Sequence, residues 1–175
     1  ECLGDVADAG TRARIEHFLP LLDARAPLFD TLRTSVIHGD ANDHNVLVVT
    51  ADGRVPAVSG IIDFGDVVRS WTIGELAIGC AYAMLGEPDP LAAAAEVVAG
   101  HHEVAPIPEH ELEALFPLIC TRLCVSAVLA AHQRAAHPDN DYLSISEAPV
   151  RALLGRLIEV DAADDHERLL AAAPP

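Results

Sequence analysis

The central part of the chain, residues 34–63, has a hydrophobic period different from that of the segments around it. Short apolar segments at residues 34–38, 45–50 and 55–63 are typical of strands, and Asp52-Gly53 between the last two favours a hairpin turn. Polar residues follow the first and the last of these segments. The middle of the chain is therefore predicted to be a small β unit with polar loops at its strand ends.

Helical patterns lie on both sides of this unit. Residues 11–32 predict a helix that Thr11 caps and that Pro20 and Pro27 are expected to break. After Asp66 the pattern remains helical, and Pro117 should kink or restart the longest helix. The segments concerned are residues 73–85, 90–101, 108–137 and 147–170. We predict a single domain over residues 1–175 with an α+β, mostly α fold.

The charge of the chain excludes several classes of partner. Eleven basic residues against 27 acidic residues give a formal net charge of −16 at pH 7. Nucleic acids and anionic lipid surfaces require a basic face, so neither is an expected partner. No run of eighteen apolar residues is present, which predicts no membrane span. Residues 1–10 also lack the basic and apolar regions of a secretory signal, and we expect a cytoplasmic protein.

Two residue types limit the chemistry that the chain can perform. Arginine supplies all eleven basic residues, so no lysine is available as a Schiff base, phosphate ligand or general base. The cysteines include no Cys-x-x-Cys pair and lack histidine partners at zinc-ligand spacing. We interpret them as small hydrophobic residues buried in a reduced protein. They are Cys2, Cys80, Cys120 and Cys124.

Two polar loops hold the residues suited to chemistry. The first is His38-Gly39-Asp40-Ala41-Asn42-Asp43-His44-Asn45, and the second is Asp63-Phe64-Gly65-Asp66. Asp40, Asn45 and Asp63 offer hard oxygen ligands for Mg²⁺, and a free carboxylate could accept the proton of a hydroxyl. Two other interpretations are open. Both segments could be turn-rich hairpin loops, or His38, Asp40, Asp43 and His44 could bind a hydrolytic metal.

The order and spacing of the two loops resemble the aminoglycoside phosphotransferase/choline kinase family, a relative of the protein kinases. The resemblance lies in His38-Gly39-Asp40 with Asn45 five residues later, followed by Ile62-Asp63-Phe64-Gly65-Asp66. Residues 36–48 and 60–66, with Glu75-Leu76-Ala77, are similar to the hydroxylysine kinase-like branch. In bacteria that branch is often fused to a class III aminotransferase.

This resemblance implies an activity and a set of roles. The activity is transfer of the γ-phosphoryl group of ATP or GTP to a hydroxyl of an amino-bearing small molecule. Asp40 would be the catalytic base, and Asn45 and Asp63 would hold Mg²⁺. His38 would support the cofactor-binding loop, while Asp66 and Glu75 would support the loop or contact the acceptor. The acidic surface would suit a cationic acceptor.

The resemblance also implies that part of the kinase fold lies outside this chain. Members of the family carry a glycine-rich loop and a strand lysine in a preceding nucleotide-binding lobe, and this sequence has neither. We therefore expect a C-terminal kinase lobe that has little or no activity by itself. The alternative is a catalytically idle, kinase-like interaction or regulatory module of a larger multidomain protein.

Overall fold

The computed structural model describes residues 2–50, 57–136, 147–160 and 162–174; for Cys2 and residues 162–166 it describes the backbone alone. The predicted hairpin turn at Asp52-Gly53 lies outside the described residues. The described parts form a mostly helical α+β structure with two small antiparallel sheets, as the sequence predicted.

Six α-helices surround the strands in the described residues. The longest, α4, runs without a break through Pro117, and its buried face includes Leu112, Leu115, Ile119 and Leu123. Helices α1 and α2 pack against α4, and α3 packs against α2 and α6. The helices are α1 (Ala9–Phe29), α2 (Thr72–Ala83), α3 (Pro90–Val104), α4 (Glu109–Ala136), α5 (Glu147–Leu157) and α6 (Ala162–Ala172); a short 3₁₀ turn, Cys2–Asp5, precedes them.

Helix α1 differs from its prediction at both of the features assigned to it. Asp8, not Thr11, is the N-cap, and its carboxylate accepts hydrogen bonds of 2.6 Å from the backbone N–H and the hydroxyl of Thr11. The helix also continues through Pro20 and Pro27. A proline inside a helix costs about 3 kcal/mol. Burial of Ile15 and Phe18 in the core opposes that cost.

The strands form two separate two-stranded sheets. Strand β1 (Thr34–Ile37) pairs with β4 (Val68–Trp71), and β2 (Val46–Val49) pairs with β3 (Ala57–Ile61). The prediction of helix from Asp66 onward was wrong for β4. Four residues are too few to show a strand period, and the partner of β4 lies more than thirty residues earlier in the chain.

The pairing brings the two polar loops together. Ile37 at the end of β1 lies opposite Val68 at the start of β4, and Val46 at the start of β2 lies opposite Ile61 at the end of β3. The first polar loop, residues 38–45, joins β1 to β2. The second polar loop, residues 63–66, lies in the connection from β3 to β4. Both loops therefore run side by side between the two sheets.

Helix α4 is long and apolar enough to cross a membrane by length and composition alone. The count of uninterrupted apolar residues did not reveal this, because Thr121 and Arg122 interrupt the run. Within the structure 61% of its most apolar stretch is buried against the other elements, as in the core helix of a globular domain.

Three cysteines lie in this helical core. Cys80, Cys120 and Cys124 are buried, which confirms the interpretation of them as small hydrophobic residues. Burial raises the pKa of Cys80 and of Cys124 to about 12. Both are therefore thiols rather than reactive thiolates at neutral pH.

Candidate active site

Gly39 fixes the first polar loop against its surroundings. Its φ of +82° lies in the left-handed region, and a Cβ at this position would stand 2.5 Å from the carbonyl oxygen of Asp66. Its N–H donates a 2.9 Å hydrogen bond to the carboxylate of Glu75 in the first turn of α2. Only glycine permits this close approach of the two polar loops.

His38 links the two loops through its ring. Nδ1 lies 3.3 Å from the backbone N–H of Asp40, and Nε2 lies 2.9 Å from the carbonyl oxygen of Ile62. With the N–H of Asp40 donating to Nδ1, Nε2 is the ring nitrogen that can donate to the carbonyl oxygen of Ile62. The ring also packs edge to face on Phe64, with centroids 5.1 Å apart. Both ring nitrogens are therefore used within the protein.

The carboxylate of Asp40 is held at both oxygens. Oδ2 accepts hydrogen bonds from Nδ2 of Asn42 at 2.9 Å and from Nδ2 of Asn45 at 3.1 Å. Oδ1 accepts a short hydrogen bond from Nη2 of Arg122. Each carboxylate oxygen has two lone pairs, so the described contacts leave one lone pair on Oδ1. A hydroxyl that donates to Asp40 must approach it there.

Arg122 is a site residue that the sequence reasoning missed. It lies in the middle of α4, and its Nη2 donates to the hydroxyl oxygen of Tyr82 at 2.9 Å as well as to Asp40. The guanidinium carbon lies 5.3 Å from the centre of the Tyr82 ring. One sequence signal was available: Arg122 is the sole Arg, Lys, Asp or Glu between Glu113 and Arg134.

Asn45 and Asp63 lie near each other because of the β2–β3 pairing. The carbonyl oxygen of Asn45 accepts a 3.0 Å hydrogen bond from the N–H of Ile62, the residue before Asp63. The Asn45 side chain is buried, and both of its described hydrogen bonds use Nδ2, which leaves its Oδ1 for another partner. Asp63 has left-handed backbone angles, φ 62° and ψ 72°.

This donor set fits Mg²⁺ shared with phosphate oxygens, which takes one or two protein oxygens rather than a complete cage. Among the described residues, no group of three or more His, Cys, Asp or Glu side chains is arranged to hold a metal ion. The cluster of His38, Asp40, Asp43 and His44 considered for a hydrolytic metal is therefore not formed. Its first member uses both ring nitrogens in the contacts to Asp40 and Ile62.

A cavity of about 260 Å³ adjoins the first polar loop. The loop contributes Asp43 and His44 to its lining, the end of α2 contributes Tyr82, and the segment after α2 contributes Leu85. A larger apolar cavity of about 370 Å³ lies between α1 and α4, but no residue of either polar loop lines it. The smaller cavity is the one next to Asp40, because Tyr82 reaches both the cavity and the Arg122–Asp40 pair.

Comparison with known proteins shows the family of the chain. The Phosphotransferase enzyme family matches residues 2–115. The chain belongs to that family. Both polar loops lie inside the matched part of this phosphotransferase-family chain, whereas Arg122 lies just beyond it. No solved structure matches the chain significantly.

Curated relatives place the phosphotransferase-family chain in the predicted branch. It is 37% identical to the hydroxylysine kinase of Danio rerio over 166 residues, which are 94% of the chain and 46% of the relative. It is 40% identical to the hydroxylysine kinase of Bos taurus over 119 residues, 65% of the chain and 32% of the relative. Viomycin phosphotransferase of Streptomyces vinaceus is 40% identical over 74 residues, 42% of the chain and 24% of the relative. The chain spans less than half the length of these relatives.

Proposed function

We propose that this chain is the part of a small-molecule kinase that holds the catalytic base and the metal ligands. The complete enzyme transfers the γ-phosphoryl group of ATP or GTP to a hydroxyl of an amino-bearing acceptor such as hydroxylysine, homoserine or an aminoglycoside. The observation that carries this proposal is the carboxylate of Asp40, oriented by Asn42 and Asn45, with one lone pair of Oδ1 left for a hydroxyl. The family and its hydroxylysine kinase relatives support it.

The chemical step follows from this arrangement. The acceptor hydroxyl donates its hydrogen bond to Oδ1 of Asp40, and its oxygen bonds to the γ-phosphorus. The bond from that phosphorus to the bridging oxygen breaks, the nucleoside diphosphate leaves with the electron pair, and Asp40 takes the hydroxyl proton. Asn42 and Asn45 hold Oδ2, so the base does not have to reorient during the step.

Asn45 and Asp63 would hold Mg²⁺. Asn45 would use its amide Oδ1, because its described side-chain hydrogen bonds both use Nδ2, and Asp63 would use its carboxylate. When bound, the ion neutralises charge on the nucleotide phosphates. The left-handed backbone of Asp63 is consistent with this role, since non-glycine residues with such angles cluster at functional sites and Asp adopts them more readily than most.

The exposed face of the β unit supports a second lobe outside this chain. We call β-unit face the exposed surface of the two sheets and the polar loops between them, which includes apolar side chains that are 49% to 72% exposed on both sides of the strands: Val36, Val48, Val49, Val58, Phe64 and Val68. Exposed apolar side chains in this number are typical of an interface with another part of a protein. We propose that a nucleotide-binding lobe from the rest of the polypeptide covers it. The inactivity of the isolated chain, fusion to an aminotransferase and a cytoplasmic location stay predictions.

The test uses the full-length natural polypeptide. Release of nucleoside diphosphate is measured with Mg·ATP and Mg·GTP against 5-hydroxylysine, homoserine, choline, ethanolamine and kanamycin. Asp40→Asn should lower kcat by about 10²- to 10⁴-fold, the usual contribution of a general base. Mg·nucleotide binding by this variant should persist. Normal turnover by Asp40→Asn would contradict the assignment of Asp40 as the catalytic base.

Asp63→Asn is the matched variant for the metal site. Asparagine tolerates left-handed backbone angles, so the variant should keep the fold. It should weaken Mg·nucleotide binding by more than about tenfold. Loss of a residue that only contacts a metal ligand already costs about that much, and Asp63 is proposed as a direct ligand. No release by a folded wild-type protein with any acceptor would favour the catalytically idle module instead.

A further inference from the structure

We infer that Arg122 is a positioning residue for the catalytic base: it holds the carboxylate of Asp40 against α4, and Tyr82 holds Arg122 in turn. This inference rests on the proposed function, because it concerns the base of that reaction. It assigns a role in catalysis to a side chain of α4 that reaches the reacting groups only through Asp40.

The first argument is the origin of the contacts that Asp40 makes. Asn42 and Asn45, which hold Oδ2, belong to the same polar loop, and so does His38, which accepts from the backbone N–H of Asp40. Partners within one short loop move together with it. Among the described residues, Arg122 is the one hydrogen-bond partner of Asp40 from outside the loop. Arg122 is therefore the contact that fixes the carboxylate relative to the helices.

The second argument is the way in which Arg122 is itself held. Nη2 carries two N–H groups, and the described hydrogen bonds account for both: one donates to Asp40 and the other to the hydroxyl oxygen of Tyr82 at 2.9 Å. The hydroxyl of Tyr82 lies 3.1 Å from that of Ser126, which follows Arg122 by one helical turn on α4. Because the Tyr82 oxygen accepts from Arg122, its own proton can be donated to Ser126. Side chains of α2 and α4 therefore fix the guanidinium in one place.

The third argument is the cost of an arginine at this position. Nε of Arg122 is buried and has no hydrogen-bond partner among the described residues. A buried donor without a partner lowers stability, and an apolar side chain would pack in α4 without that cost. The contact with Asp40 accounts for an arginine here. Burial also makes this edge of the guanidinium unavailable to an acceptor, which favours a role through Asp40 over direct binding.

The fourth argument is the position of Tyr82 in the wall of the cavity next to the base. Its ring lines that cavity, and the guanidinium carbon of Arg122 lies 5.3 Å from the ring centre. One guanidinium therefore connects the wall of the cavity to Asp40. Reaction rates fall steeply when a reacting group is misplaced by about 1 Å. This connection should consequently support the chemical step rather than the affinity for the acceptor.

The experiment is a double-mutant cycle between Arg122 and Asp40 in the full-length enzyme. Values of kcat and KM are measured with Mg·ATP or Mg·GTP and the acceptor of the test panel that is turned over fastest. Arg122→Met should lower kcat by about 10- to 100-fold, the loss expected for a misplaced base. KM for the acceptor and for the nucleotide should change by less than about threefold, because neither is bound by Arg122.

The second half of the cycle adds Arg122→Met to Asp40→Asn. The residual kcat of Asp40→Asn should then fall no further, because a residue that acts through the base has no base left to position. A residue that contacts the acceptor or the phosphoryl group directly would lower kcat in both backgrounds. Non-additive losses therefore distinguish a positioning residue from a catalytic one.

Three further variants grade the effect. Tyr82→Phe keeps the ring in the cavity wall but loses the hydroxyl, and should lower kcat by about 2- to 10-fold, the value of one hydrogen bond. Arg122→Lys keeps the positive charge and should restore part of the activity lost in Arg122→Met. Arg168→Met, on α6 and facing Asp89, is the matched control and should leave kcat unchanged. Thermal unfolding verifies that each variant is folded, and Tyr82→Phe replaces Arg122→Met in the cycle if the latter does not fold.

The outcomes separate the inference from the proposed function. An unchanged kcat in Arg122→Met, a rise in KM for the acceptor alone, or additive losses in the double variant would each overturn the inference and leave the kinase proposal standing. Normal turnover by Asp40→Asn, or no turnover of any acceptor by the folded wild type, would overturn the proposed function, and the inference would fall with it.

Discussion

At the scale of single residues, Gly39 holds two backbone segments closer than any side chain would allow. Its left-handed φ alone would penalise another residue, and the carbonyl of Asp66 adds a steric clash. Gly86 has a similar φ of +77°, yet nothing lies within 4 Å of the place where its Cβ would be. A side chain at Gly86 would therefore carry only the cost of the left-handed backbone, whereas one at Gly39 would also carry the cost of the steric clash.

Replacing each glycine by alanine should measure both costs. Gly86→Ala should lower the free energy of unfolding by about 1–2 kcal/mol, the cost of a left-handed backbone. Gly39→Ala should lower it by a further 1–3 kcal/mol or so, because the two polar loops must move apart. Denaturant unfolding of the two variants checks this. Equal losses would show that Asp66 yields to the added methyl group without cost.

Part of the site could be predicted residue by residue and part could not. Asp40, Asn45 and Asp63 lie in two short segments of sequence, so their residue types and spacing, together with the resemblance to a kinase-like family, were enough to make them candidates. Arg122 contacts Asp40 from more than eighty residues away, and sequence periodicity places it simply on an apolar helix. A lone charge inside such a helix was the available signal. What it contacts depends on how α4 packs against α2.

At the scale of elements, an ion pair joins the strand that enters the site to the central helix. Arg33, just before β1, binds Glu111 in the first turn of α4 through Nε at 2.8 Å and Nη2 at 2.9 Å, and its backbone N–H adds a third bond at 3.0 Å. The carbonyl oxygen of Arg33 accepts from Thr72 N–H at the start of α2. One residue thus connects β1, α2 and α4.

The same ion pair makes stability depend on acid. Burial at 1% exposure raises the pKa of Glu111, but the hydrogen bonds from Arg33 outweigh it and the net pKa is below its ordinary value of 4.5. As the pH falls, a carboxyl whose pKa is lower in the folded state than in the unfolded state is protonated first in the unfolded state. Its contribution to stability is therefore complete above about pH 4.5 and is lost as the pH falls through the folded value.

Glu111→Gln should consequently cost about 1–3 kcal/mol of unfolding free energy at pH 7. The difference in unfolding free energy between the variant and the wild type should become smaller as the pH is lowered from about 5 to about 3, a range around the ordinary pKa of glutamate. Glu113→Gln, exposed on the same helix, is the control and should change little at any pH. Denaturant titrations across this pH series measure the effect. A gap independent of pH would contradict the ionic origin.

Elements were predictable where the signal was local. The core helices were expected from apolar residues at helical spacing, and β1 to β3 from apolar runs beside turn residues. Strand β4 and the continuity of α1 were not, because each depends on distant partners. Strand β4 exists through its pairing with β1, and α1 continues past two prolines while its apolar face is buried against α4.

At the scale of the whole molecule, the helices are packed around α4 while the β-unit face is open. Val36, Phe64 and Val68 of this face lie in or near the polar loops, so what covers them also borders the site. In the proposed enzyme this cover is the nucleotide-binding lobe. Substitution of these side chains should then have different effects in the complete protein and in the isolated chain.

Val36→Thr with Val58→Thr tests this expectation by exchanging a methyl for a hydroxyl at two exposed positions. In the full-length protein the pair should raise KM for the nucleotide and lower stability by about 1–3 kcal/mol per buried hydroxyl. In the isolated chain it should leave the Tm unchanged and reduce self-association. Calorimetry and sedimentation measure the two effects. Unchanged stability and an unchanged KM for the nucleotide in the full-length double variant would contradict the proposal that a lobe covers this face.

The pairing of the strands also sets where the chain can tolerate changes in length. An extra residue between Ile37 and Val46, or between Ile61 and Val68, would lie beside or within a polar loop and displace the residues of the site. Val49 and Ala57 pair at the other end of the β2–β3 sheet, away from both polar loops. A change in length beyond that pair would therefore leave the polar loops and the register of both sheets as they are.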